Sequence, residues 1–157
     1  MGVLRKLSRL MTGAPPSDEV AQRLSESYLE AVGRARQLSE HAELAPHSHI
    51  TDRLRRVAAE DERHGEQLAE ALRAASQPLP TPQDLPPGRG ALNHWGRLVQ
   101  DLEAHRRAVR RLRELATHFA ESLPATAQLF EDLSHKESAH CEVLREVLAR
   151  ADPQALD

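Results

Sequence analysis

Two short segments of the sequence each place a carboxylate and an imidazole three residues apart. Asp61 precedes His64 in one apolar helical pattern, and Glu137 precedes His140 in another. Residues three apart lie on the same face of an α-helix, so each pair presents an oxygen ligand and a nitrogen ligand in one direction. Two such pairs in one small chain predict a metal ion held between two helices.

The elements that must position these pairs are helices. The chain of 157 residues is rich in Ala, Leu, Arg and Glu and contains only 3% aromatic residues, which favours an all-α fold. Turn signals rich in Pro and Ser divide the chain. They predict helices over about 18–44, from the turn at 45–48 to about 76, over 91–120 and over 125–151.

The connections predict the topology. The turns at 45–48 and 122–124 are short, so each joins two antiparallel helices. Residues 77–90 (QPLPTPQDLPPGRG) contain five prolines and cannot form a regular helix. As an extended segment at ~3.1 Å per residue they could span ~40 Å, about one helix length. We therefore predict two antiparallel hairpins joined by a long Pro-rich crossover, in a four-helix bundle over residues 17–151 with a tail at 152–157.

Helical phase places both pairs on the core side of their helices. At 100° per residue, Leu54, Val57, Leu68 and Leu72 lie within ~40° of Asp61. The apolar residues of the fourth helix flank Glu137 as closely. Buried carboxylates and imidazoles that lack partners would cost several kcal/mol per ion, and a shared metal removes most of that cost. A hydrogen-bonded network without metal is the alternative.

Composition restricts the partners and the compartment. Lys plus Arg number 21 against 24 Asp plus Glu, which leaves a net charge of −3, and this argues against a nucleic-acid partner. The single cysteine, Cys141, suits a reducing compartment. No apolar run approaches a membrane span and no secretory signal is recognisable, so we expect a cytoplasmic protein. The arginines between Arg106 and Arg113 are interleaved with apolar residues, which predicts a solvated helix face.

The segment at residues 1–16 precedes the predicted bundle. Met1–Met11 places Val3, Leu4, Leu7, Leu10 and Met11 opposite three basic residues, which predicts a short amphipathic helix. Such a helix could lie on an anionic membrane or on a partner protein, or it could be a docked or frayed terminus.

The four-helix pattern, the crossover and the two ligand pairs resemble the ferritin-like superfamily, which includes bacterioferritin and rubrerythrin. The resemblance covers about residues 18–151. It implies a di-iron carboxylate site in the bundle core, with one Glu from each of the first and third helices and Glu-x-x-His from the second and fourth. Asp61 departs from that pattern, because its side chain is one methylene shorter than Glu.

The remaining ligands implied by the resemblance are less well matched. By spacing, Glu30 and Glu103 are the nearest candidates, but helical phase turns both away from the core. Glu30 falls beside Arg34 on a solvated face. His105 faces inward on the third helix and could be a ligand or an ordinary buried histidine. Tyr28 faces inward on the first and could be a core aromatic, a ligand or a redox group.

Two functions from different classes follow. The first is an iron-dependent redox protein, implied by the resemblance, that binds one or two iron ions or another divalent metal. It would act as a ferroxidase or peroxidase, oxidising Fe(II) with oxygen or detoxifying peroxide, as a homodimer or larger homo-oligomer. The second is a bundle without catalytic metal that serves as a dimeric interaction or scaffold module. An oxygenase acting on an organic substrate is a third alternative.

Overall fold

A computed structural model describes residues 17–82 and 93–151. These residues form four α-helices and no strand: α1 (Ser17–Glu43), α2 (Ser48–Ala74), α3 (His94–Phe119) and α4 (Pro124–Arg150). The predicted all-α fold is confirmed, and the helix bounds agree with the predicted ones to within a few residues. The amphipathic segment Met1–Met11, the tail at 152–157 and residues 83–92 of the Pro-rich segment lie outside the described residues.

The helix ends follow from local chemistry. Asn93 caps α3, because its side-chain oxygen accepts a hydrogen bond of 2.8 Å from the Gly96 N–H. Pro124 occupies the first turn of α4, where its missing N–H costs nothing. At the end of α2, Ser76 adopts the left-handed conformation with φ of 55°, and the Gln77 N–H donates back to the Leu72 carbonyl at 2.9 Å. This Schellman-type ending closes α2 before the Pro-rich segment.

The two hairpins pack so that α2 and α3 run parallel. α1 contacts α2 and α3, and α4 contacts α3 and α2, which leaves α1 diagonal to α4 and α2 diagonal to α3. One apolar cluster combines the end of α1 with the start of α2, the start of α3 and the end of α4. The chain between α2 and α3 therefore joins opposite ends of the bundle.

The core consists of two apolar clusters with a polar layer between them. One cluster is centred on Leu38, Leu54 and Leu144, and the other contains Leu68, Phe119 and Phe130. Between them lie five buried polar side chains from three helices: Asp61, His64, His105, Glu137 and His140. The apolar clusters keep water away from this layer, so its charges must be compensated locally.

A membrane span needs a helix that is both long enough and apolar enough to cross the bilayer. None of the four combines the length and the apolar character that a membrane span needs.

The core packing predicts that Phe130→Ala lowers the free energy of unfolding by about 3–5 kcal/mol, because Phe130 is fully buried against Phe119. Leu44→Ala is the matched control, since Leu44 is 60% exposed and its loss should change stability by less than about 0.5 kcal/mol. Urea unfolding followed by far-UV circular dichroism measures both. Equal effects of the two substitutions would contradict the described core.

Candidate metal centre

The two sequence-predicted pairs meet in the middle of the bundle. α2 contributes Asp61 and His64, α4 contributes Glu137 and His140, and one potential ligand atom from each residue lies within 4.8 Å of all the others. The two carboxylates have no solvent exposure and both imidazoles are 3% exposed. Two oxygen and two nitrogen donors at this spacing form a set that can hold one transition-metal ion.

Three ligand atoms of this group are buried and have no hydrogen-bond partner: Asp61 Oδ1, Glu137 Oε2 and His140 Nδ1. They converge, because His140 Nδ1 lies 3.4 Å from Asp61 Oδ1 and 3.7 Å from Glu137 Oε2. Ligands at ~2.1 Å from a tetrahedral metal would be separated by ~3.4 Å. Buried polar atoms are normally paired, so this convergence fits a cation between them.

His105 of α3 completes the group from a third helix. Its Nδ1–H donates to the Asp101 carbonyl at 2.7 Å, while its Nε2 lies 3.0 Å from Asp61 Oδ2. A neutral imidazole that donates through Nδ1 has a lone pair at Nε2. That lone pair would face a carboxylate oxygen unless a proton or a metal ion lies between them. The predicted ligand His105 is therefore placed where a cation is needed.

Glu60 is a site residue that the sequence did not reveal. His140 donates through Nε2–H to Glu60 Oε2 at 2.8 Å, which directs its Nδ1 toward Asp61 and Glu137. A carboxylate behind a metal-ligating histidine commonly fixes the tautomer and the ring orientation. The side chain of Glu60 is 49% exposed, and no sequence pattern separates it from the other exposed glutamates of α2.

The position of Arg34 differs from the one predicted from the sequence. It was predicted beside Glu30 on a solvated face, but its side chain is only 10% exposed and reaches into the core. One guanidinium nitrogen, Nη2, donates to Glu137 Oε1 at 2.9 Å, and Nε lies 3.9 Å from Asp61 Oδ1. The long side chain starts at the flank of α1 and extends inward, so the direction of its Cα–Cβ bond, on which helical phase is based, does not predict where the guanidinium lies.

The three other candidate ligands lie outside the group. Glu30 is 43% exposed and pairs with Arg111 at 3.2 Å, and Glu103 is 45% exposed and pairs with Arg106 at 2.7 Å. Tyr28 is half-buried against the apolar cluster that contains Phe119. Opposite charges on α3 thus hold both glutamates at the surface.

The surrounding cations keep both core carboxylates ionised. Burial alone raises the pKa of Asp61, but the hydrogen bond from His105 and the nearby imidazoles of His140 and His64 hold it well below its usual range. Burial likewise raises the pKa of Glu137, but the charge of Arg34 and the neighbouring imidazoles lower it to about 2. Both side chains are therefore anionic at neutral pH.

The pKa values of two of the histidines shift in the opposite direction, upward. Burial lowers the pKa of His140, but the adjacent Asp61 and Glu137 carboxylates outweigh it and raise the pKa to about 10. The pKa of His64 is raised by the same two carboxylates against the effect of burial. Without a metal, protons on these rings compensate the carboxylates.

The fold is similar to solved ferritin-like structures. The chain superposes on a mycobacterial bacterioferritin with a TM-score of 0.77 and 21% identity, covering 87% of this chain and 86% of that one. On a dodecameric thioferritin, the bacterioferritin-related protein from Bacteroides fragilis, it superposes with a TM-score of 0.75 and 16% identity, covering 92% of this chain and 93% of that one. On Dps from Thermosynechococcus elongatus it superposes with a TM-score of 0.75 and 20% identity, covering 87% of this chain and 94% of that one.

At these identities the likeness shows the fold: the chain is a ferritin-like four-helix bundle. No known protein family matches the sequence, and no curated protein shows significant similarity.

The raised pKa of His140 predicts competition between protons and metal. A metal ligand must be deprotonated, and this imidazole keeps its proton up to about pH 10 in the metal-free state. Metal binding at neutral pH should therefore release at least one proton, from His140, and a second wherever His64 is also protonated. The affinity for Co(II) should rise by about tenfold or more per pH unit between about pH 6 and 9.

Titration calorimetry in buffers of different ionisation enthalpy measures this release. A Co(II) affinity that does not change with pH, together with no proton release, would show that the metal does not displace the proton of His140.

Proposed function

We propose that the bundle core binds iron through Asp61, His64, Glu137 and His140, with His105 as a further ligand, and supports its oxidation. The proposal rests on three unpartnered, buried ligand atoms that converge between α2 and α4. It is supported by the similarity in fold to bacterioferritin and Dps structures.

We infer one ion per chain. The core supplies two carboxylates, whereas the di-iron site implied by the resemblance uses four. Glu30 and Glu103, which would complete it, are half-exposed and paired with arginines. The set of two carboxylates and three imidazoles matches the donor count of a single ion.

The reaction proposed for this site takes Fe(II) as substrate. Each Fe(II) loses one electron, and one hydrogen peroxide takes up two electrons and two protons to give two waters. Two Fe(II) are therefore oxidised per peroxide, and with one ion per chain they come from two sites or from two ions that bind the same site in turn. The carboxylates of Asp61 and Glu137 favour the more highly charged product. Glu60 holds the His140 ring in the orientation that binding requires.

The assembly proposed for the chain is a homo-oligomer. The thioferritin from Bacteroides fragilis is dodecameric. Light scattering coupled to size-exclusion chromatography measures the oligomeric state.

Metal analysis tests the proposal. Protein purified without chelator and loaded with Fe(II) under anaerobic conditions should bind about one iron per chain. Asp61→Asn and His140→Gln, which keep the side-chain volume, should each abolish stoichiometric binding. Glu30→Gln is the matched control, because Glu30 is half-exposed and paired with Arg111. An unmodified protein without stoichiometric metal would exclude the redox function, and peroxide consumption on adding Fe(II) separates an active site from an inert one.

Substitutions of His105 and Glu103, both on α3, test which of the two residues is the ligand from this helix. His105→Ala should lower the iron affinity, because its Nε2 lies against Asp61, whereas Glu103→Ala should leave it unchanged, because Glu103 contacts Arg106 at the surface. Circular dichroism confirms folding before iron is added. The reverse order of effects would place the third-helix ligand at Glu103.

A bundle without catalytic metal is the second candidate, and Arg34 favours it. Its guanidinium pairs with Glu137 at 2.9 Å and supplies a cation to the core without any metal. Protonated His64 and His140 add further positive charge. In that case the polar layer is structural, and iron loading leaves the thermal stability unchanged.

A further inference from the structure

An open groove lies on the outer face of the bundle between α1 and α3. Its volume is about 420 Å³. Ala104 and Ala108 are the small side chains among its lining residues, and they leave room between the two helices.

Positive charge dominates the groove. Four arginines and two glutamates line it: Arg34, Arg107, Arg110, Arg111, Glu30 and Glu114. Arg111 is compensated, because it pairs with Glu26 and Glu30. Arg107 and Arg110 are exposed and form no ion pair with any residue in the described ranges 17–82 and 93–151. Glu114 likewise forms no ion pair within these ranges, so the free charged groups of the groove are two guanidiniums and one carboxylate.

One further donor of the groove residues is buried and lacks an acceptor, the Nε atom of Arg111. A buried N–H without an acceptor costs free energy, which a bound anion would recover. The Nε atom of Arg34 also has no hydrogen-bond partner, but it lies 3.9 Å from Asp61 Oδ1 in the core. Arg34 also connects the groove to the core, because it lines the groove and donates to Glu137.

We propose that this groove binds a phosphate group. Guanidinium groups donate paired hydrogen bonds that match phosphate oxygens, and arginine is the residue best suited to this recognition. Arg107 and Arg110 supply the free charge, and Arg34 supplies the donor shared with the core. The competing occupant of such a surface is a carboxylate-rich partner, including a second copy of this chain.

Phosphate titration of the metal-free protein tests the site. Calorimetry with inorganic phosphate, against chloride at matched ionic strength, should show one saturable site. The double substitution Arg107→Ala and Arg110→Ala should weaken it by about tenfold or more, since each charge-assisted contact is strong. Arg113→Ala is the matched control, because Arg113 is an exposed arginine of the same helix that lines a different pocket.

The shared arginine gives a second, independent test. Glu137→Gln removes the carboxylate that holds Arg34 in the core, so phosphate affinity should rise several-fold. Asp61→Asn is the comparison, because Asp61 carries the same charge but lies 3.9 Å from Arg34 Nε, and its effect should be smaller. Both readouts use metal-free protein, so they do not depend on the proposed iron function.

The outcomes separate the occupants. Equal affinity for inorganic phosphate and glycerol 3-phosphate assigns recognition to the phosphate group alone, whereas tighter binding of the ester assigns the groove to a phosphorylated small molecule. Binding that chloride abolishes, or that Arg113→Ala weakens as much as the double substitution, overturns the proposal. A change of oligomeric state in the double variant without any phosphate binding also overturns it, in favour of a contact between copies.

Discussion

The burial of two carboxylates in the middle of the bundle constrains everything around them. Asp61 and Glu137 have no solvent exposure, and a buried charge is tolerated only when cations and hydrogen-bond donors surround it. Three histidines and Arg34 provide that surrounding from all four helices. Sliding one helix by a turn, ~5.4 Å, would separate these partners, so the polar layer also fixes the register of the four helices.

Helical phase predicted the members of this layer whose side chains follow the direction of their Cα–Cβ bond. Asp and His side chains do so, and a Glu side chain does so near the backbone, which is why phase placed Asp61, His64, His105 and Glu137 in the core. It failed for Arg34, whose guanidinium reaches the core from the flank of α1. The tip of a long side chain is set by tertiary partners and not by periodicity, and for the same reason Glu60 could not be distinguished from its exposed neighbours.

The charge of the site differs from the pattern that the ferritin-like resemblance implies. In that pattern the first and third helices each give a carboxylate, whereas here α1 brings the guanidinium of Arg34 and α3 the imidazole of His105. Each exchange removes a negative charge and α1 adds a positive one. Anionic ligands stabilise Fe(III) more than Fe(II), so a core of this charge, binding iron as proposed, would hold the oxidised ion less tightly and favour its release or reduction over permanent retention.

Arg34 joins the two charged regions of the molecule in one side chain. Its guanidinium donates to Glu137 and also lines the outer groove, so an anion bound in the groove would compete with Glu137 for the same positive charge. An anion that attracts Arg34 outward would remove positive charge from beside the proposed metal ligands and free an oxygen of the Glu137 carboxylate. Thermodynamic reciprocity then requires that a metal in the core strengthen anion binding by the same factor. Arg34 thus provides a physical basis by which the proposed metal site in the core and the proposed phosphate site in the groove would be coupled.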